Sequence, residues 1–303
     1  MIVAVASGKG GTGKTTIAVN LALSLAEDGG APERVEAQPL FLDCDVEEPN
    51  AALFLGPVIE ERREVGQLIP EVDPAACTHC GRCAEVCEYH AIAVVGDQVL
   101  VFPELCHGCG SCTLNCPTGA IHEVLHVMGT VERGWAGPIA FAQGTMNVGE
   151  AMGVPIIRQL KGWAIPPARD GRPVILDAPP GTACPVVETM RGADVVLMVT
   201  EPTPFGLHDL RLAVEVARDE LRLPVGVVIN RDGVGDSGVD AYCAAEGIPI
   251  LMRVPLERRI AEAYSDGVPL VDALPAYRER FRVLYRQIAR LARAGDRSGM
   301  KAS

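Results

Sequence analysis

Residues Gly8-Lys9-Gly10-Gly11-Thr12-Gly13-Lys14-Thr15 decide the fold. They follow an apolar run, Ile2-Val-Ala-Val-Ala6, and open a stretch from Lys14 to Asp28. Ile17, Leu21 and Leu25 of that stretch fall on one helical stripe, and Gly29-Gly30 supplies its stop. Strand, glycine-rich turn and helix together form a phosphate cradle. Glycines let backbone N–H groups curl around phosphate oxygens, and the helix N-terminus adds a favourable dipole. In such a P-loop Lys14 reaches the β- and γ-phosphates, and the Thr15 hydroxyl sits on Mg²⁺. Gly8, Gly10, Gly11, Thr12, Gly13 and Thr16 complete the expected nucleotide contacts.

Outward from this loop, short apolar runs bounded by turns read as buried parallel strands: Leu40–Leu42, Val174–Leu176, Val195–Val199 and Val225–Ile229. Helical stretches at His208–Leu221 and Ser237–Glu246 separate several of them. The expected fold is therefore α/β, a doubly wound, mostly parallel sheet with ligands at the carboxyl ends of its strands. The chain has 303 residues, 48% hydrophobic and 22% charged, which suits a large globular domain with a modest addition.

The alternation stops between about Gln67 and Met128, where a repeat appears with a period of 29 residues. Cys77-Thr-His-Cys80-Gly81-Arg-Cys83-Ala-Glu-Val-Cys87 aligns with Cys106-His-Gly-Cys109-Gly110-Ser-Cys112-Thr-Leu-Asn-Cys116. Each run is C-x₂-C-x₂-C-x₃-C, the spacing by which bacterial ferredoxins hold [4Fe–4S] clusters, the fourth cysteine serving the other cluster. One cluster then takes Cys77, Cys80, Cys83 and Cys116, and the other takes Cys87, Cys106, Cys109 and Cys112. A zinc ribbon needs only C-x₂-C pairs and leaves the third and fourth cysteines unexplained. Glu88 stands where a proline is expected after Cys87, whereas Pro117 follows Cys116. His79 and His107 occupy spacer positions and are expected beside the ligands rather than among them. Sheet elements flank the block on both sides, so the expected organisation is an ATPase domain in two parts, 1–66 and 129–303, with an inserted ferredoxin-like domain at 67–128.

Lys9 is not demanded by an ordinary P-loop. Lys9-Gly-Gly-Thr-Gly-Lys14-Thr15 resembles the deviant Walker A of the MinD/ParA/Mrp class, and the chain as a whole resembles a MinD-superfamily P-loop ATPase carrying an inserted ferredoxin domain. The resemblance implies that Lys9 reaches across an ATP-bound homodimer. It implies that Asp45, in Leu42-Asp43-Cys44-Asp45, orients water and helps hold Mg²⁺, a role that Asp43 could share. It places Asp177, in Val174-Ile-Leu-Asp177-Ala-Pro-Pro-Gly181, on the metal through water. Asn230 is expected to read the adenine, and Pro255 to pack on it. ATP, Mg²⁺ and two [4Fe–4S] clusters are the implied cofactors. Mrp-type carriers present a C-x-x-C pair late in the domain, and here only Cys243 is found. Cys44, Cys184 and Cys243 are expected to be packing thiols.

The net charge is −12, which argues against nucleic acid as a partner. Between Gln67 and Glu123 seven acidic residues face one basic residue, which favours a redox or metallocofactor partner protein with a basic docking surface. Ala276–Ala294 is a basic amphipathic stretch whose stripe of Phe281, Leu284, Tyr285, Ile288 and Leu291 is expected to dock on the domain core rather than on a membrane. No export signal or spanning run is visible, so the expected location is cytoplasmic. Three tasks fit these features: ATP-coupled electron transfer, Mrp-type delivery of clusters, and MinD- or ParA-like spatial organisation.

Overall fold

The computed structural model describes residues 1–26, 38–167 and 171–299. Nine strands form one sheet, in the order β11-β10-β9-β1-β8-β2-β7-β6-β3. They are β1 (Ile2–Ala6), β2 (Leu40–Asp43), β3 (Val58–Val72), β6 (Ile121–Ala136), β7 (Ile139–Met146), β8 (Val174–Asp177), β9 (Val195–Thr200), β10 (Val225–Asp232) and β11 (Ile250–Pro255). From β11 to β7 every pairing is parallel, while β6 and β3 add two antiparallel strands at one edge. The expected doubly wound, mostly parallel α/β sheet is thus present.

Successive residues of the central strands serve opposite faces, as the pleat requires. Ala4, Ala6, Leu40 and Leu42 belong to one core, with Ile156, Val186, Leu210 and Val239 from helices α5 (Val154–Ala164), α6 (Cys184–Met190), α7 (Pro204–Val214) and α8 (Gly238–Ala245). Val3, Val5 and Phe41 belong to the other, with α1 (Lys14–Leu25) and α11 (Ala276–Gly299). Strands covered on both sides need apolar side chains on both, which is why these runs read as continuous hydrophobics.

The expected helix at His208–Leu221 begins earlier, because Thr203 caps it: its hydroxyl accepts the Gly206 N–H at 3.0 Å. It ends as a π-helical stretch, Glu215–Glu220. The proposed stop of α1 at Gly29-Gly30 lies outside the described residues. In α11, Tyr277, Phe281, Leu284 and Ile288 are buried against the domain. Arg278 and Arg282 donate to the carbonyls of Leu23 and Ser24, at the C-terminal end of α1, and Arg280 donates to that of Arg253. The basic stretch therefore acts as a strap, two of whose cations satisfy helix-end carbonyls and a third a strand carbonyl. No described helix is long and apolar enough to cross a membrane.

β3 and β6 pair from Val58↔Trp135 to Val72↔Ile121, a long ribbon reaching beyond the sheet. Positions 67 and 128 both fall inside these strands. At the far end of the ribbon sit the short helices α3 (Arg82–Glu85) and α4 (Ser111–Leu114) and the separate hairpin β4 (Ile92–Val95) and β5 (Gln98–Val101). Trp163 of α5 carries the guanidinium groups of Arg63 and Arg133 on its ring, each 4.6 Å from the centroid, and Gln159 of α5 donates to the Gly66 carbonyl. These contacts hold the ribbon to the α/β body.

Candidate functional site

The loop between β1 and α1 lies at the carboxyl end of the central strand. Gly11 and Gly13 adopt positive φ, 78° and 86°. A Cβ on Gly8 would stand 2.1 Å from the Asp209 carbonyl oxygen, and one on Gly13 would stand 2.3 Å from Asn230 Nδ2. Neither position admits a side chain. Lys14 is buried and its ammonium lies 2.6 Å from Asp177 Oδ1. Burial alone would lower the Lys14 pKa, but the carboxylates of Asp177, Asp45 and Asp43 outweigh it and hold the lysine above its usual value.

Two buried oxygens here lack hydrogen-bond partners: Asp177 Oδ2 and Thr12 Oγ1. Buried polar atoms are ordinarily paired, so orphans at this point mark where a ligand's atoms belong. An unpaired carboxylate oxygen on the residue that holds Lys14 suits hydrated Mg²⁺, and the open glycine backbone suits phosphate, so the residues fit Mg·nucleotide.

The two aspartates of the β2 end have separate positions. Asp43 is fully buried and accepts three backbone N–H groups, from Asp45, Asn50 and Ala51. Burial first, then the charge of Asp177, raises its pKa. Asp45 is half-buried, lines a cleft with Pro179 and Pro180, and is pushed up to about 6, chiefly by burial. Asp43 is thus the anchor of the loop, and Asp45 faces the cleft of Pro179 and Pro180.

Asn230 donates its amide to the Thr12 carbonyl at 2.7 Å, so it braces the loop from β10. Lys9 is held within its own chain, 3.4 Å from Glu201, which Arg231 also binds. Pro255 ends β11 beside Asp232.

At the far end of the ribbon the cysteines surround two cavities. The first is lined by Cys77, Cys80, Cys83 and Cys116. The second is lined by Cys87, Cys106, Cys109 and Cys112. Each thus has three cysteines of one run and the last of the other. Among the described residues no group of three or more His, Cys, Asp or Glu side chains is placed to hold a metal ion. Backbone N–H groups of His79, Ala91 and Gly108 donate to the sulfurs of Cys77, Cys87 and Cys106.

The repeat extends to the backbone. His79 and Gly108 are equivalent and both have positive φ, 55° and 61°, as do His90 and Gly119, 53° and 67°. A Cβ on Gly108 would crowd the ribbon's Leu68 carbonyl, 3.1 Å away. His79 is half-buried, and exposed His107 stacks on Tyr89 with centroids 3.7 Å apart.

Comparison with known proteins gives the family. The profile of the CobQ/CobB/MinD/ParA nucleotide-binding domain, CbiA, matches residues 3–270. The chain belongs to this family. An uncharacterised protein of Methanocaldococcus jannaschii is 31% identical over 277 residues, 88% of this chain and 90% of that one. An iron–sulfur cluster carrier protein of Pyrococcus horikoshii is 25% identical over 289 residues, 89% of this chain and 78% of its own. Among solved structures, the septum site-determining protein MinD of Pyrococcus horikoshii, complexed with Mg-ADP, superposes with a TM-score of 0.54. It is 19% identical and covers 97% of this chain and 98% of that one, a likeness of fold.

Within the CobQ/CobB/MinD/ParA fold, several residues escaped sequence reading. Glu201, just past β9, pairs with Lys9, and Arg231, near the end of β10, holds Glu201 in turn. Val46, just past Asp45, accepts the Met146 N–H at 2.8 Å, and Asn147 then donates its N–H to Met128 on the ribbon. Gly144 and Gly153 leave room for the Val46 side chain, since a Cβ on either would stand within 2.9 Å of it. Of the remaining thiols, Cys44 and Cys243 are buried as expected, but Cys184 is exposed. It begins α6, directly after the loop of Pro179 and Pro180, where the chain has not yet turned against the core.

Proposed function

We propose that this family member is an ATP-binding and ATP-hydrolysing iron–sulfur protein that couples nucleotide-dependent dimerisation to electron transfer. Gly8 to Thr16 cradle the nucleotide, with Thr15, Asp45 and Asp177 about Mg²⁺. Lys14 neutralises phosphate charge, and Asp45 orients the attacking water. Lys9 leaves Glu201 and reaches the nucleotide of the partner subunit in an ATP-closed homodimer. In the module at 67–128, Cys77, Cys80, Cys83 and Cys116 hold one [4Fe–4S] cluster, and Cys87, Cys106, Cys109 and Cys112 the other. Such clusters supply one-electron transfer. The excess of carboxylates on the module suits a redox partner with a basic face.

One observation carries this reading: two cavities, each bounded by four thiols in the crossed three-plus-one arrangement. Coupling is supported by a continuous hydrogen-bonded route. It runs from Val46 beside Asp45 to Met146, from Asn147 to Met128, and from Glu150 to His126 on the strand that carries the module. Loops that respond to a γ-phosphate act through such bistable contacts.

The relatives named iron–sulfur cluster carriers favour a second reading, delivery of a cluster to a client. Against it, Cys243 stands alone and is 1% exposed, so it cannot present a labile cluster at the surface. Protein loaded with labelled iron and mixed with an apo-ferredoxin separates the two. Electron transfer predicts that the label stays in place with and without ATP. Passage of the label to the acceptor on the timescale of turnover overturns it in favour of delivery.

A further inference from the structure

The two cavities are built from one repeat, yet their surroundings differ. Counting along the ribbon, the second cavity is walled by Leu68 and Pro70, and the first by Val72 and Ile121 at the tip. At ~3.4 Å per residue the second is therefore nearer the α/β body by roughly 10 Å.

Their charges are opposite. Glu123 lines the second cavity, and its Oε1 lies 3.2 Å from where a Cβ on Gly110 would stand. No cation is paired with Glu123 among the described residues. Arg82 lines the first cavity, where its charge is shared with Glu85 at 3.2 Å. Tyr89 and His107, stacked ring on ring, both line the second cavity. The first adjoins an open groove of Pro74, His79, Asp97 and Leu100 that leads to Cys77.

From these differences we infer that the two cavities give their clusters unequal reduction potentials: lower in the body-proximal cavity of Glu123, higher in the distal cavity of Arg82. This rests on the cluster reading above. Reduction adds one negative charge to a centre already ringed by thiolates. A carboxylate opposes that charge, whereas a guanidinium favours it. Glu123 dominates, because pairing with Glu85 weakens Arg82. A single electron, taken from dithionite with no bond made or broken, then resides in the distal cavity beside the groove. That groove is where the molecule presents it to an acceptor.

The test is an anaerobic EPR titration of the full chain with dithionite, alongside iron and sulfide counts, for wild type, Glu123→Gln and Arg82→Gln. Both substitutions are at exposed positions. Wild type should show two potentials separated by at least a tenfold difference in reduced-to-oxidised ratio, which is 59 mV for one electron. Glu123→Gln should raise the lower potential alone, by about fivefold to tenfold in that ratio, and Arg82→Gln should lower the higher one by less. Coincident wild-type potentials, or a Glu123→Gln shift shared equally by both centres, overturn the inference while the counts leave the cluster reading standing. Counts showing no iron–sulfur centre overturn both.

Discussion

Lys14→Met eliminates nucleotide hydrolysis, and it also weakens the nucleotide-free protein, by about 3–5 kcal/mol at pH 8. The second effect follows from geometry alone. The Lys14 ammonium is 7% exposed and lies 2.6 Å from an Asp177 carboxylate that is fully buried. Asp43, also fully buried, lies on the neighbouring strand directly beside Asp177 in the register. Removing the cation leaves two carboxylates facing each other in a dry interior, and breaking one half of a buried pair is the costly case. Protonating one carboxylate relieves the repulsion, so the penalty at pH 5 is smaller than at pH 8. Asp43, already raised by burial and by Asp177, is the group placed to take that proton. Denaturant unfolding of wild type and variant at both pH values measures this. Equal stability at pH 8 would contradict the Lys14–Asp177 pairing.

The second large effect comes from the last cysteine of each run. Cys116→Ala and Cys87→Ala should each remove about half the iron, and from opposite cavities. Cys116 lines the cavity of Cys77, Cys80 and Cys83, and Cys87 lines that of Cys106, Cys109 and Cys112. Uncrossed ligation would reverse the assignment. Combining each variant with Glu123→Gln tells which centre survives. The Glu123→Gln shift should persist in the Cys116→Ala background and vanish in the Cys87→Ala background. The opposite pattern, or full loss of iron in both single variants, contradicts the crossed arrangement.

How far the sequence could be read varied with the physics of each segment. The phosphate loop was legible because its glycines answer a backbone requirement: Gly13 has a φ of 86° and no room for a Cβ. The central strands were legible because burial on both faces leaves them uniformly apolar. The cysteine spacing was legible as a pattern, and the structure brings those residues into two groups of four.

The ribbon was not legible. Val58-Ile-Glu-Glu-Arg-Arg-Glu-Val65 contains five consecutive charged residues, and much of it meets solvent on both sides, so no period-two signal survives. Its pairing with β6 rests on long-range cross-strand contacts, including Arg133 with Glu61 and Arg62 with Glu132. The choice between Asp43 and Asp45 was likewise closed to sequence. Both follow the same strand, and only the loop's fold turns three N–H groups onto Asp43. Cys184 failed for a related reason: its position after a proline-rich turn says nothing about whether that turn faces the core or the solvent.

The nucleotide loop and the cysteine cavities should influence one another through the strand that joins them. The direct measurement is an anaerobic EPR titration of the iron-loaded protein, with and without a non-hydrolysable ATP analogue, with dimer mass followed by light scattering in the same samples. The analogue should convert monomer to dimer and shift at least one of the two midpoint potentials. Unchanged potentials and an unchanged monomer under saturating analogue would contradict it.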